Sequence, residues 1–193
     1  MIEIIMMCAP DVAPQTIQEI IRVESKGNPL ALHVNRLAGQ KSAPKPPPAE
    51  NSEQAARIAL EYIEAGYTVD MGLMQINSTN LSWLGIELDE LSTLFNPCAN
   101  IAAGAAILTE SYERAALQFG KGQPALQAAL SAYNTGNFFN GFSNGYVARY
   151  YGETPTTLPT SIKTSQQSVS VIDAMKSPTS IPWPPPENYT LRP

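Results

Sequence analysis

One apolar stripe constrains this chain more than any other feature. Between Asn96 and Phe119, the residues Ile101, Ala105, Leu108, Tyr112, Ala115 and Phe119 recur at alternating steps of four and three, the spacing of one helix face. Asn96 can cap the start, and Pro97 fits a first turn because an amide hydrogen is not needed there. Gly120-Lys121-Gly122 then breaks the pattern. A helix of that length is stable mainly by burying its apolar face against other elements. The surrounding domain is therefore expected to be globular and mainly helical.

Shorter helical patterns flank it. Residues 14–26 place Ile17, Ile20, Ile21 and Glu24 on one stripe, closed by Gly27-Asn28-Pro29 through left-handed cap and proline chemistry. Asn51-Ser52 cap an amphipathic helix that runs to about Ala65 and stops at Gly66, and residues 124–133 form another through Leu126, Leu130 and Tyr133. Strand signals are scarce, with residues 67–71 and 74–77 the only candidates. Composition changes after residue 153. All 12 glycines lie at or before Gly152, whereas residues 154–193 carry 8 prolines and 13 serines and threonines and end in Pro182-Trp183-Pro184-Pro185-Pro186 and a short polar stretch. Such a segment buries too little apolar surface to offset its ordering entropy. The expected organisation is one domain over residues 1–153 and a flexible tail over 154–193. In that tail, Val169, Val171, Ile172 and Met175 can order against a partner, and Trp183 can anchor one.

Charge and hydropathy exclude two classes of partner. Twelve Lys+Arg against 17 Asp+Glu give a net charge of −5, which argues against nucleic acid held by phosphate contacts. No apolar run approaches the roughly 18 residues of a membrane span. Residues 1–9 are interrupted by Glu3 and lack a basic start and a small-residue cleavage site, so they do not read as a signal peptide. Cys8 and Cys98 have no Cys or His nearby at metal-ligand spacing, so no metal is expected. They remain open to two readings, a pair of buried thiols or a bridge. A bridge across about 90 residues is worth roughly 4–5 kcal/mol by chain entropy and implies an oxidising compartment.

Glu24 is the most informative residue, because it is an acid on an otherwise apolar stripe. It also falls in the last turn of its helix, near the partly negative C-terminal end. Desolvation and the helix dipole both disfavour the carboxylate. A carboxyl kept protonated near neutral pH can donate to a leaving oxygen, which is general acid catalysis. Arg22 and Lys26 lie close enough in sequence for ordinary surface pairing, so periodicity alone leaves a solvated Glu24 open.

The text around Glu24 narrows the choice. Glu24-Ser25-Lys26-Gly27-Asn28-Pro29-Leu30-Ala31 is followed by Asp70-Met71-Gly72-Leu73-Met74-Gln75-Ile76-Asn77-Ser78 and then by Ser131-Ala132-Tyr133-Asn134-Thr135-Gly136. Asn96-Pro97-Cys98-Ala99-Asn100-Ile101 with Gly104, and Asn144-Gly145-Tyr146-Val147, add support. In that order the segments resemble the lytic transglycosylase/lysozyme superfamily, and in particular the specialised transglycosylases of type IV secretion and conjugation machines. The likeness covers about residues 8–151. It implies a lysozyme-like, mainly α fold (α+β) with a cleft between helices. It also implies peptidoglycan glycan strands as substrate and no cofactor.

By the resemblance, Glu24 takes the place of the catalytic acid and base, with Ser25 supporting it. Gly72, Met74 and Gln75 match the segment lining the cleft, the glycine for close backbone approach to the sugar and the glutamine for a hydrogen bond to it. Asn77 closes that turn, Tyr133 and Asn134 match the motif beside the acid, and Tyr146 matches an aromatic position near the groove. Leu73, Ile76 and Met74 are also expected in the core. Asp70 matches the position of a second acid in animal-type lysozymes, or else caps the turn from the surface. The first role would make the enzyme a hydrolytic muramidase, whereas the family association favours 1,6-anhydro ends. A non-catalytic glycan-binding assembly factor is the third reading.

The resemblance further implies a Cys8–Cys98 disulfide and a periplasmic location, at odds with the missing export signal unless the true start lies upstream or export takes another route. The tail is then the expected contact for secretion-channel subunits. Lys45-Pro46-Pro47-Pro48 and the helix over 51–65 are expected to form one groove wall. His33 is expected in a loop without a base or metal partner, and Trp83 is expected to pack in the core, with stacking on a sugar face as the alternative.

Overall fold

The computed structural model describes residues 1–151, which divide into two compact units, Met1–Ala106 and the described residues from Ile107 onward. The tail expected over 154–193, with its Val169–Met175 cluster and Trp183, lies outside the described residues.

The first unit contains α1 (Ile2–Cys8), α2 (Pro14–Glu24), β1 (Leu32–Val34), α3 (Ser52–Glu64), β2 (Val69–Met71), β3 (Ile76–Asn77) and α4 (Leu81–Leu84). Two 3-10 segments, Ser78–Asn80 and Leu88–Phe95, and the start of α5 (Pro97–Phe119) complete it. The strands form an antiparallel sheet in the order β1-β2-β3. Helix ends follow local chemistry. The Asn51 side chain accepts the Gln54 amide at 2.9 Å, which satisfies one of the donors orphaned at the start of α3. Helix α2 ends at Glu24, two residues short of the expected end. Ser25 is its C-cap, and Lys26 and Gly27 then turn left-handed at φ 55° and 83°. Leu32–Val34 is a strand, so His33 lies in the sheet and not in a loop.

Burial gives this unit its core. Ile17, Ile20 and Ile21 from α2 are out of solvent, as are Ile5, Val34, Met71, Ile76, Leu94 and Ile101. Helix α1, unforeseen as a helix, ends at Cys8, whose disulfide to Cys98 brings their Cα atoms to 5.3 Å at the first turn of α5. Trp83 corrects an expectation, being 58% exposed. The short α4 buries Leu81 and Leu84, three positions apart and so on one face, which leaves the intervening Trp83 on the other side.

The second unit contains the remainder of α5, then α6 (Gln123–Thr135), α7 (Asn140–Ser143) and α8 (Ala148–Tyr151). Ala115, Phe119, Ala125 and Ala128 form a small core flanked by Tyr112 and Phe138. Phe119 meets Phe138 and Phe139 edge to face. The buried Ser131 joins α6 to α7. Its hydroxyl donates to the Asn137 carbonyl at 2.6 Å and accepts the Gly141 amide at 2.8 Å. Among the described residues, no single helix is long and apolar enough to cross a membrane.

Candidate active site

Glu24 is the final residue of α2 and is half-buried. Its stripe partners Ile17 and Ile20 are fully buried and Ile21 nearly so, so the acid stands at the rim of the apolar core. Ser25 fastens the helix end beside it. Its hydroxyl donates to the Ile21 carbonyl and accepts the Gly27 amide, each at 3.2 Å.

The segment 70–78 folds as β2, a tight turn and β3, which gathers Asp70, Gly72, Met74, Gln75 and Asn77 in the first unit. Asp70 does not cap the turn from the surface. It is half-buried, and its oxygens accept the Asn77 amide at 2.6 Å and the Asn35 amide at 3.0 Å. Burial pushes its carboxyl above the usual aspartate range, while the bonds from Asn77 and Asn35, and then the charge of His33, pull it back. His33 is the register partner of Asp70 across the antiparallel pair. Asn77 serves both strand and turn, since its carbonyl oxygen accepts from the Thr79 amide and hydroxyl at 2.9 and 2.8 Å.

Gly72 is required by what lies beneath the turn. Its φ is +76°, and a Cβ there would collide with Asn100 Nδ2 and the Leu94 carbonyl oxygen. Packing against α5 thus explains the glycine without any approach of a sugar. Gly72→Ala is expected to destabilise the protein by about 2–4 kcal/mol, the sum of left-handed strain and overpacking. Equilibrium urea unfolding reads this, and a loss under about 1 kcal/mol would contradict the geometry. Leu73, Met74 and Ile76 are core residues, as expected.

Gln75 holds a left-handed φ of 50°, a conformation costly for a residue with a side chain. Its amide nitrogen donates to the carbonyls of Gly72 at 2.9 Å and Ala31 at 3.2 Å. The Gly72 amide donates to the same Ala31 oxygen at 2.9 Å. Ala31 closes the loop that starts at Glu24, so Gln75 connects that loop to the turn.

Tyr133, Asn134 and Tyr146 belong to the second unit. Tyr133 and Asn134 lie on α6, the first half-buried and the second exposed. The Asn134 carbonyl oxygen accepts the Asn144 side-chain amide at 2.9 Å. Tyr146 is 2% exposed, accepts the Tyr150 hydroxyl at 2.6 Å and carries the Arg149 guanidinium over its ring at 5.7 Å. Its ring is a packing element, without an open face for stacking on a sugar. Among the described residues, no group of three or more His, Cys, Asp or Glu could hold a metal ion.

Two residues of this architecture carried no assigned role in the sequence reading. Asn35 lies just past the end of β1, two positions after His33, where no pattern is long enough to stand out. Asn100 is followed at i+4 by Gly104, a polar and a minimal residue on one helix face, which marks a close approach.

Comparison with known proteins adds the family context. The transglycosylase SLT domain family matches residues 1–152. Protein virB1 of Agrobacterium fabrum is 39% identical over 142 residues, 74% of this chain and 54% of that protein. Protein virB1 of Rhizobium radiobacter is 36% identical over 159 residues, 82% of this chain and 62% of the relative. The type IV secretion system protein virB1 of Brucella abortus is 37% identical over 138 residues, 70% and 53% of the two chains. The chain thus spans little more than half the length of these relatives. No solved structure matches.

Proposed function

We propose that this chain, which belongs to the transglycosylase SLT domain family, is a peptidoglycan lytic transglycosylase that uses Glu24 as its single acid and base. The substrate is the β-1,4 bond between N-acetylmuramic acid and N-acetylglucosamine. Glu24 donates its proton to the bridging oxygen, the C1–O bond breaks, and positive charge develops at C1 of the muramic acid. The resulting carboxylate then takes the proton of that sugar's 6-hydroxyl as its oxygen bonds to C1. The product is a 1,6-anhydro end, no water is consumed, and Glu24 returns to its protonated form.

The observation that carries this reading is the seat of Glu24. It stands at the C-terminal end of α2, where carbonyl dipoles converge, on the stripe whose other members are buried. Both influences favour the protonated acid that the first step needs. All three relatives are named virB1, and one of them is named a type IV secretion system protein. This supports a periplasmic role in opening the wall for a secretion or conjugation apparatus, with residues 154–193 as the contact to channel subunits.

A hydrolytic muramidase is the second reading, favoured by the two asparagine amides that hold Asp70 in place. A retaining mechanism needs a carboxylate at that point. Burial raises the Asp70 carboxyl while the bonds from Asn77 and Asn35 lower it again, so the products decide between the two readings. Mass spectrometry of products from purified sacculi separates the two readings. We expect anhydro ends from wild type, and anhydro ends still from Asp70→Asn at a rate within about tenfold. Reducing ends from wild type, or loss of all cleavage in Asp70→Asn with the fold intact, would establish the muramidase instead.

A further inference from the structure

The strongest unassigned feature is a buried polar side chain whose hydrogen bonds all go to the backbone of the candidate site and its support. Asn100 is 1% exposed. Its amide nitrogen donates to the Met71 carbonyl at 2.9 Å and to the Leu94 carbonyl at 2.7 Å. Its carbonyl oxygen accepts the Met74 amide at 2.7 Å. Three bonds at these lengths are well formed. They span the Gly72–Leu73 turn on both sides and tie it to the end of the 3-10 segment. Two glycines close the remaining space, since a Cβ at Gly72 would collide with Asn100, and one at Gly104, four residues on, with the Met74 side chain.

We propose that Asn100 is a positioning residue, a clamp that sets the Gly72–Gln75 turn and, through it, the loop that follows Glu24. The second half of the connection is the Ala31 oxygen, which accepts both the Gly72 amide and the Gln75 side chain. A shift of the turn therefore carries Ala31 with it. The strained φ of Gln75 is a conformation that persists only where its surroundings over-determine it. Asn100 fixes the Met74 amide immediately before it. Asparagine is suited to this place because it supplies two donors and an acceptor without charge. Leucine supplies none of these. Aspartate keeps only the acceptor and sets a carboxylate against two carbonyl oxygens.

The catalytic consequence rests on the transglycosylase reading, and the test separates the two. Asn100→Leu, Asn100→Asp and a control, Leu91→Ala, are compared for Tm, for cleavage of sacculi, and for hydrogen exchange at the Met74 amide and the Gln75 side chain. Leu91 is buried in the same unit and has no part in the turn. The Asn100 variants are expected to lose protection at both reporters and to lose about 100-fold in cleavage rate, the scale of a misplacement of about 1 Å. Leu91→Ala is expected to lower Tm comparably yet keep both reporters protected and cleavage within about threefold of wild type, compared well below the melting range. Asn100→Asp, which retains the Met74 acceptor, covers the case in which Asn100→Leu does not fold. Unchanged protection in folded Asn100 variants overturns the clamp, and so does a cleavage loss no larger than that of Leu91→Ala. If wild type cleaves no glycan, the transglycosylase reading falls by itself, and the exchange data alone decide the clamp.

Discussion

Glu24→Gln is expected to reduce release of soluble muropeptides from purified sacculi by at least about 10³-fold, because one group performs both proton transfers and each is worth about 10²–10⁴. Glutamine has nearly the same shape and can still hydrogen-bond, but it has no proton to donate and cannot serve as base. Stability should hardly change. The resting Glu24 is neutral in this reading and glutamine is a neutral isostere, so no charge is removed from the helix C-terminus and the variant should melt close to the wild-type temperature. An unchanged Tm separates a chemical loss from a folding loss. Undiminished release by Glu24→Gln would end the proposal, and a collapse of Tm with activity would remove its support. The wild-type rate should also fall as pH rises, since the first step requires the protonated acid.

The parts of this molecule that were legible in sequence are those with long periodicity or explicit punctuation. Helix α5 was readable because its stripe repeats over about five turns and is bounded by proline and glycine. Helix α3 was readable because Asn51 caps it and Gly66 follows its end. The short elements were not. Three residues of β1 and seven of α1 are too few for a period to emerge. The misplacement of Trp83 has the same cause, because a four-residue helix has too little pattern to show which way a side chain faces.

The motifs of the candidate site were legible in sequence, whereas the packing behind them was not. Gly72 and Gln75 were singled out for contact with sugar, yet the turn they form is explained by Asn100, Leu94 and Ala31. Tyr146 was expected near a groove and is sealed against Tyr150. Linear sequence shows which residue types a motif contains. It does not show whether their polar atoms face inward, and that depends on partners such as Asn35 and Asn100, distant in the chain and brought close only by the sheet and by α5.

Removing the disulfide should have the largest effect on stability. Cys8 and Cys98 are 90 positions apart, and opening a loop of that length returns roughly 4–5 kcal/mol of chain entropy to the unfolded state. Converted through the unfolding entropy of a domain of about 150 residues, this is a fall in Tm of roughly 10–20 °C. The double variant Cys8→Ser, Cys98→Ser is the clean comparison, since either single change leaves a reactive thiol. Wild type melted with and without a reducing agent supplies an independent measurement of the same quantity. The two should agree, because both remove the same tether. The local consequence follows from position. Cys98 lies in the first turn of α5, one residue past Pro97 and two before Asn100, so the bond pins the helix end from which the turn is clamped. Cleavage by the reduced protein should therefore fail at temperatures below its global melting, as the first turn of α5 loosens before the rest unfolds. A reduced protein that melts within about 2 °C of the oxidised one would show that the bridge does not tether the fold. It would also weaken the case for an oxidising compartment, which rests on a bond the protein needs.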